Sequence, residues 1–339
     1  MKRPWLVPLI PVYAAGLALR SAGLLLGVQP IRRLRWQVIS VGNLSVGGTG
    51  KTPFTIALAR LLMREGVHVD VLSRGYGRQS TEVERVDEDG GPERYGDEPL
   101  LIARETHAPV YVGPKRWQAG KMAEEQAAAQ SRSLYGVHLL DDGFQHRQLA
   151  RTVDIVIVNS EDLGDALLPA GNLRERVGAL KRARVLAVPA EDEAAVEELR
   201  RLGFESRAER PIWRFRRDMV VPMMPATLAK RRVVAFCGIA RPDQFFSGLT
   251  QKGLDLAATR TFPDHHSFSR GEMEMLRRLA ESTGSGALFT TAKDIFRLGG
   301  LGTELDEALP IFAVDLQVTF EDEAGVMTWL RDAMGLKTG

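Results

Sequence analysis

From Val41 to Thr52 the chain reads Val-Gly-Asn-Leu-Ser-Val-Gly-Gly-Thr-Gly-Lys-Thr. In such a glycine-rich turn, backbone N–H groups can point inward together and form a concave site for phosphate oxygens. A lysine at the position of Lys51 reaches the β- and γ-phosphates of a nucleotide, and a hydroxyl at Thr52 ligates Mg²⁺. Ser45, Val46, Gly47, Gly48, Thr49, Gly50, Lys51 and Thr52 are therefore the candidate site for ATP with Mg²⁺. The strict pattern wants glycine at Ser45, and Gly47 with Gly48 can supply the missing backbone freedom.

A second set of residues is acidic. Leu139 to His146 reads LLDDGFQH, so Asp141 and Asp142 fall at the end of a β-branched and leucine-rich run, where a carboxylate can hold the metal or order its waters. Adjacent residues of a strand point to opposite sides, so one of the two faces the metal and the other braces a loop. Two further segments are ambiguous by themselves. Gly96-Asp97-Glu98-Pro99 could be a helix start with acidic first-turn residues. Phe262-Pro263-Asp264-His265-His266 could be a solvated turn, half of a metal site, or a histidine that a carboxylate orients to accept a hydroxyl proton. Ser73 to Arg78 and Pro169 to Arg176 set cations beside glycines, which suits phosphates or anionic headgroups.

The elements that must position these residues follow a βα rhythm. WQVISV, VDVLS, PVYVG, HLLDD, DIVIVN and RVLAVP alternate with helical periods at Pro53–Arg64, after Gly96 and at Lys115–Gln130, as a parallel sheet flanked by helices requires. The runs lack polar alternation, so both faces of the sheet should be covered. This gives an α/β, P-loop-type core lobe over 31–205, with a charged, turn-rich hairpin excursion at 78–94. Residues 206–230, rich in proline and arginine, read as an inter-lobe connection. A smaller α/β lobe over 231–339 follows, with Ser269 and Glu272 as a capping box for its middle helix.

The amino terminus is the compositional anomaly. Trp5 to Leu19 carries no charge, Arg20 interrupts, and the apolar run resumes to Val28. A helix starting at Pro11 would have about 18 residues, borderline for a span. Tyr13, Gly16, Arg20, Gly23 and Gly27 would form one narrow stripe on it, with Lys2 and Arg3 before it and Arg32, Arg33 and Arg35 after. Residues 1–30 thus read as a helix lying in a membrane surface, with a cleaved leader, a true span and a helix docked on the protein as alternatives. Bulk composition sets the remaining bounds. With 44% hydrophobic and 26% charged residues the chain is an ordinary globular one, and a net charge of +2 gives no case for nucleic acid. A single cysteine, Cys237, excludes an internal disulfide and suits a buried strand. No obligate protein partner is evident.

Taken in order, VISVGNLSVGGTGKTPF, LSRGYGR, GDEP, LLDDGFQH, LLPAGNLRE, the DHH turn and TTAKD resemble the tetraacyldisaccharide 4′-kinase family over nearly the whole chain. That resemblance implies transfer of the γ-phosphate of ATP to the 4′-hydroxyl of a tetraacylated glucosamine disaccharide 1-phosphate. The work would be done at the cytoplasmic face of the inner membrane, with the amino-terminal helix in the membrane surface. It also implies roles. Lys51 and Thr52 bind ATP and Mg²⁺, and Asp97 with His265 deprotonates the acceptor. Asp141, Asp142 and Glu175 organise the metal, and Arg74, Asn172 and Arg174 lie near phosphates or acceptor. Arg176 departs from the family, which often has proline there. A kinase of a soluble small molecule and a nucleotide-dependent switch are the competing functions.

Overall fold

The computed structural model describes residues 3–130, 135–225, 228, 232–301 and 309–335. Lys2, expected as part of the basic flank, parts of the expected connection at 226–227 and 229–230, and residue 231 of the expected second lobe lie outside the described residues. Twelve strands form one sheet: β1 (Gln37–Asn43), β2 (Val69–Ser73), β3 (Glu84–Arg85), β4 (Val110–Val112), β5 (Val137–Leu140), β6 (Val153–Ile157), β7 (Val185–Pro189), β8 (Ile212–Val220), β9 (Val233–Cys237), β10 (Leu256–Thr261), β11 (Leu288–Thr291) and β12 (Ile311–Phe320). The helices are α1 (Ile10–Leu25), α2 (Lys51–Arg64), α3 (Pro92–Tyr95), α4 (Asp97–Thr106), α5 (Arg116–Ala129), α6 (Ser160–Leu163), α7 (Glu193–Arg201), α8 (Pro242–Gln251), α9 (Arg270–Thr283), α10 (Ala292–Leu298) and α11 (Glu323–Met334).

The spatial order is β10-β9-β11-β12-β8-β7-β6-β1-β5-β2-β4-β3. All neighbours are parallel except β12 with β8 and β3 with β4. The crossover of the chain about β1, which lies between β5 and β6, leaves a crevice at the carboxyl ends of these strands, where α/β proteins bind ligands. Side chains alternate between faces as a strand dictates. Ile39, Val41, Val71 and Leu139 pack with α2, α4 and α11, while Val38, Leu72 and Leu140 pack with Ala119 and Ala123 of α5. Phe54 of α2 is fully buried, edge-on to Phe215 at 5.2 Å and Phe320 at 5.1 Å. Truncating it to alanine would cost about 3–5 kcal/mol.

Two expectations need correcting. The 206–230 connection contains β8, a nine-residue strand that pairs with β7 on one side and β12 on the other. The expected junction is therefore part of a continuous sheet. In 78–94 the chain does not pair with itself as a hairpin; its strand β3 adds to the edge of β4. The capping box at Ser269 and Glu272 is present, and Cys237 is buried at the end of β9.

Helix α1 begins after a 3-10 turn at Pro4–Leu9 and docks on the core along one stripe. Ile10, Tyr13, Ala14 and Leu17 meet the cluster that contains Leu44, Phe144 and Leu167. Trp5, Val12, Leu19, Leu25, Leu26 and Val28 are exposed. At the opposite end of β1 and β5, the amino ends, His138 lies 2.6 Å from Asp70 and 3.4 Å from Glu124, stacked on Trp36. Glu124 also accepts from the backbone N–H groups of Arg35 and Trp36, which fixes where the chain enters β1. Burial opposes a charge on His138, but the two carboxylates win and raise its pKa to about 9.

Candidate active site

The phosphate loop runs from β1 into α2, as the motif requires. Gly47 and Gly50 have φ of 111° and 83°, left-handed values that cost other residues about 1 kcal/mol or more. Gly48 is not among the positive-φ residues, so Gly50 supplies the freedom expected of it. The loop is braced from behind: Asn172 O accepts from Val46 N at 2.8 Å, and Leu44 O accepts from Arg174 N at 2.7 Å. Gly42 admits the neighbouring DDGF loop, since a Cβ there would stand 2.6 Å from Phe144 Cβ.

Asp141 and Asp142 leave the end of β5 in different directions, as expected of adjacent residues. Asp141 is buried and accepts from the Thr55 hydroxyl at 3.2 Å. Asp142, at φ 48°, takes a bidentate fork from Arg174 at 2.9 and 3.0 Å and faces Lys51 at 3.7 Å. Lys51 also donates to Asn43 Oδ1 at 3.2 Å, an oxygen it shares with Arg174. The two carboxyls are driven apart in acidity. Burial, then the charges of Glu98 and Asp142, raise Asp141 to about 7. Burial also opposes ionisation of Asp142, but Lys51 and Arg174 hold it below the usual range.

Across the crevice, the second lobe contributes the turn after β10. His265 Nδ1 lies 2.9 Å from Asp97 Oδ2, so residues 168 positions apart in the chain meet at hydrogen-bond distance. Asp97 stands at the first turn of α4 after Gly96, whose φ is 88° and where a Cβ would meet Tyr76 O at 3.0 Å. The acidic first-turn reading describes its place but not its partner. Burial would raise the Asp97 pKa, yet His265 and Arg297 take it far below the usual carboxylate range. The hydrogen bond that His265 makes to Asp97 raises His265 in return. His266 has another use: it binds Glu272 at 2.9 Å and stacks on Phe262, which makes it a brace for the turn.

Other expected residues sit differently. Glu175 pairs with Arg182 at 2.8 Å, and no group of three or more His, Cys, Asp or Glu among the described residues converges as a metal site. Arg182 thus takes the carboxylate expected to organise metal. Asn172 is held by Asp165 through its backbone at 3.1 Å and its amide at 3.0 Å, bracing the phosphate loop where substrate contact was expected. Arg74 is exposed, and its charge helps lower the pKa of Arg116 and His146 after burial has done so first. Sequence reasoning missed Asn43, Arg116, His146, Lys293 and Arg297. His146 adjoins the DDGFQ run, and Lys293 lies in TTAKD, so those two carried a signal; Arg116 opens an unremarkable helix. His146 falls to about 3 and is neutral at pH 7.

A protein-family model described as Tetraacyldisaccharide-1-P 4'-kinase matches residues 2–335. The tetraacyldisaccharide 4'-kinase of Koribacter versatilis (strain Ellin345) is 44% identical over 322 residues, covering 93% of this chain and 94% of that protein. The protein of the same name from Geobacter metallireducens is 36% identical, covering 91% and 92%. A crystal structure described as the "apo" form of LpxK from Aquifex aeolicus in complex with ATP matches with a TM-score of 0.75 and 32% identity, covering 98% of this chain and 99% of that one.

Proposed function

The chain belongs to the tetraacyldisaccharide-1-P 4'-kinase family, and on that premise we propose its reaction and how its residues carry it out. It transfers the γ-phosphoryl group of ATP to the 4′-hydroxyl of a tetraacylated glucosamine disaccharide 1-phosphate, giving lipid IVA in lipid A biosynthesis. The observation that carries the assignment is this family membership over nearly the full chain. The meeting of Asp97 and His265 opposite the phosphate loop supports it chemically, because a switch protein has no need of a proton acceptor for an alcohol.

Magnesium fits the residues present. Thr52 and Asp141 offer hard oxygen donors, and at Asp141 burial and the charges of Glu98 and Asp142 outweigh the nearby cations Lys51 and Lys293. Mg²⁺ takes one or two carboxylates with phosphates and water, not a dense protein cage. When bound it would neutralise charge on the β- and γ-phosphates. Lys51 would reach the same phosphates from the other side. Arg174 fixes Asp142 and, through Ser45 O at 2.9 Å, the loop that cradles them.

The acceptor hydroxyl gives its proton to His265 Nε2, while Nδ1 is turned toward Asp97. The hydroxyl oxygen forms the new bond to phosphorus in line with the breaking bond to the β-phosphate, and ADP leaves. Arg74, on the exposed loop after β2, is suited to an anionic part of the acceptor.

The membrane surface is the second partner. The exposed apolar side of α1, from Trp5 to Val28, with Arg3, Arg32, Arg33 and Arg35 at its ends, suits burial in the headgroup boundary of the cytoplasmic leaflet. Its inner side reaches the site: Tyr13 donates to Arg174 O at 3.0 Å and Arg20 to Gln145 O at 2.6 Å. Gln145 in turn donates to Asn43 O at 2.8 Å. A lipid-borne sugar held beside α1 would thus be delivered to the crevice by the residues that shape it.

The test is ADP release by purified protein with Mg·ATP in detergent, with and without the tetraacylated disaccharide monophosphate. Acceptor-dependent release with a bis-phosphorylated product is expected, and Lys51→Ala should lower it at least ~10²-fold while keeping a cooperative melt. Acceptor-independent release in wild type, or unchanged turnover in Lys51→Ala, would refute the reading.

A further inference from the structure

TTAKD and the residues after it have so far no part in the reaction. They close β11 and form α10, which brings Lys293 and Arg297, one helical turn apart, onto the first turn of α4. Lys293 Nζ is 2.6 Å from Glu98 Oε1. Arg297, almost fully buried, donates through Nε to Asp97 Oδ2 at 3.0 Å and again through Nη2 to the same oxygen. Its remaining nitrogen, Nη1, donates to Gly238 O at 3.0 Å and to Asp294 Oδ1 at 3.2 Å.

We propose that Arg297 is a positioning residue for phosphoryl transfer: anchored in the second lobe by Gly238 and Asp294, its guanidinium holds Asp97 where that carboxylate orients His265. The inference rests on the Asp97–His265 pair as the proton acceptor.

Three observations support it. First, the anchor is rigid. Gly238 O also accepts from His265 N at 3.3 Å, and Gly238 N donates to Asp294 Oδ2 at 3.1 Å. A Cβ on Gly238 would stand 2.9 Å from Pro263 O. The histidine turn, the end of β9 and α10 are therefore locked together, and Arg297 is the arm they extend to the first lobe. Second, an ionised Asp97 favours one tautomer of His265 against the Nη2 donor that also faces Nδ1. Arg297 can only donate, so it keeps Asp97 Oδ2 an anionic acceptor. That acceptor favours a proton on Nδ1 and leaves Nε2 bare to act as base.

Third, sharing one oxygen brings Nη2 to 3.1 Å from His265 Nδ1. Its positive charge opposes the imidazolium that Asp97 favours. The charged groups facing His265 are Asp97 from α4, Arg297 from α10 and Asp264 from its own turn, with the Tyr76 ring at 5.2 Å. Among the described residues that act on it in this way, Arg297 is the cation.

The experiment measures kcat, KM for ATP and the pH profile of kcat for Arg297→Met and Arg297→Lys, alone and with Asp97→Asn. Arg297→Met should lower kcat ~10²-fold with KM for ATP within ~2-fold. The acidic limb of its profile should move to higher pH, because the opposing charge is gone. Arg297→Lys should recover part of kcat. On the Asp97→Asn background, Arg297→Met should cost less than ~3-fold, since it acts through the lost carboxylate.

Unchanged kcat, an unmoved acidic limb, or a full second loss on the Asp97→Asn background would overturn the proposal. Should Arg297→Met lose its cooperative melt, Arg297→Lys decides. One ammonium cannot hold Asp97, Gly238 and Asp294 together, so a wild-type profile there also overturns it. Wild-type turnover in both Asp97→Asn and His265→Ala would instead remove the proton-acceptor reading. Loss in those two with none in Arg297→Met removes only the role of Arg297.

Discussion

Asp97 stays ionised in a place where burial opposes its charge, and the cause is two partners from another part of the chain, His265 and Arg297. The same hydrogen bond makes His265 hold its proton above the ordinary histidine range. A base works only when unprotonated, so kcat should rise with pH through that raised value. Asp97→Asn removes the main raising partner; the acidic limb should then move to lower pH, with kcat down ~10²–10⁴-fold. This shift is opposite in sign to that expected of Arg297→Met. A stopped assay across pH 5 to 9 distinguishes them, and a limb that ignores Asp97→Asn would separate Asp97 from the base. Lys51, Thr52 and the two aspartates were legible because their chemistry is written in contiguous motifs. Arg297 was not, because a buried polar side chain is defined by the groups it meets, and Asp97 is 200 residues away in sequence.

At the scale of elements, α1 shows how a pattern is read correctly while its partner stays open. The stripe through Tyr13 and Arg20 was visible in the residue spacing, and in the structure both donate to the core. The helix therefore docks on the protein along one side and leaves Val12, Leu19 and Leu25 exposed on the other. The docked reading describes one face, and the membrane surface is what we propose for the other. Replacing Leu19 and Leu25 by aspartate should weaken binding to anionic vesicles at least ~10-fold, as two buried side chains are worth about 1.5–3 kcal/mol each. ATP binding should be unchanged. Undiminished sedimentation with vesicles would refute membrane contact by this face. Strand β8 went unread for a different reason. Arg214, Arg216 and Arg217 in it, with Pro211 and Pro222 nearby, carry the composition of a linker, yet the arginines are satisfied by Glu193, Glu321 and Glu191.

For the whole molecule, the consequence of β8 is that the carboxyl-terminal segment completes the first core. Val318, Phe320, Val326, Met327 and Leu330 belong to the same buried cluster as Ile39, Val41, Phe54 and Val71. A chain ending at residue 230 would expose that cluster, and each lost aromatic or aliphatic contact costs a few kcal/mol against a total stability of about 5–15 kcal/mol. Such a chain should neither melt cooperatively nor bind ATP. Retained ATP binding in a calorimetric titration would show the first lobe to be an independent unit. The proposed catalytic crevice has the same dependence, because Asp97 comes from one side of it and His265 and Arg297 from the other.

The sequence by itself determined the local geometry: a glycine-rich turn between a strand and a helix, acidic residues at a strand end, a βα rhythm and an amphipathic amino terminus. These are properties of neighbours along the chain, governed by φ/ψ preference and hydrophobic period. Tertiary structure alone decided which carboxylate Arg174 and Lys51 would claim, that Glu175 would go to Arg182, and that Arg297 would stand against both Asp97 and His265. Those outcomes depend on where sheet pairing through β8 and β12 brings the two lobes together, and charge pairing acts over a few ångströms of space without regard to distance along the chain.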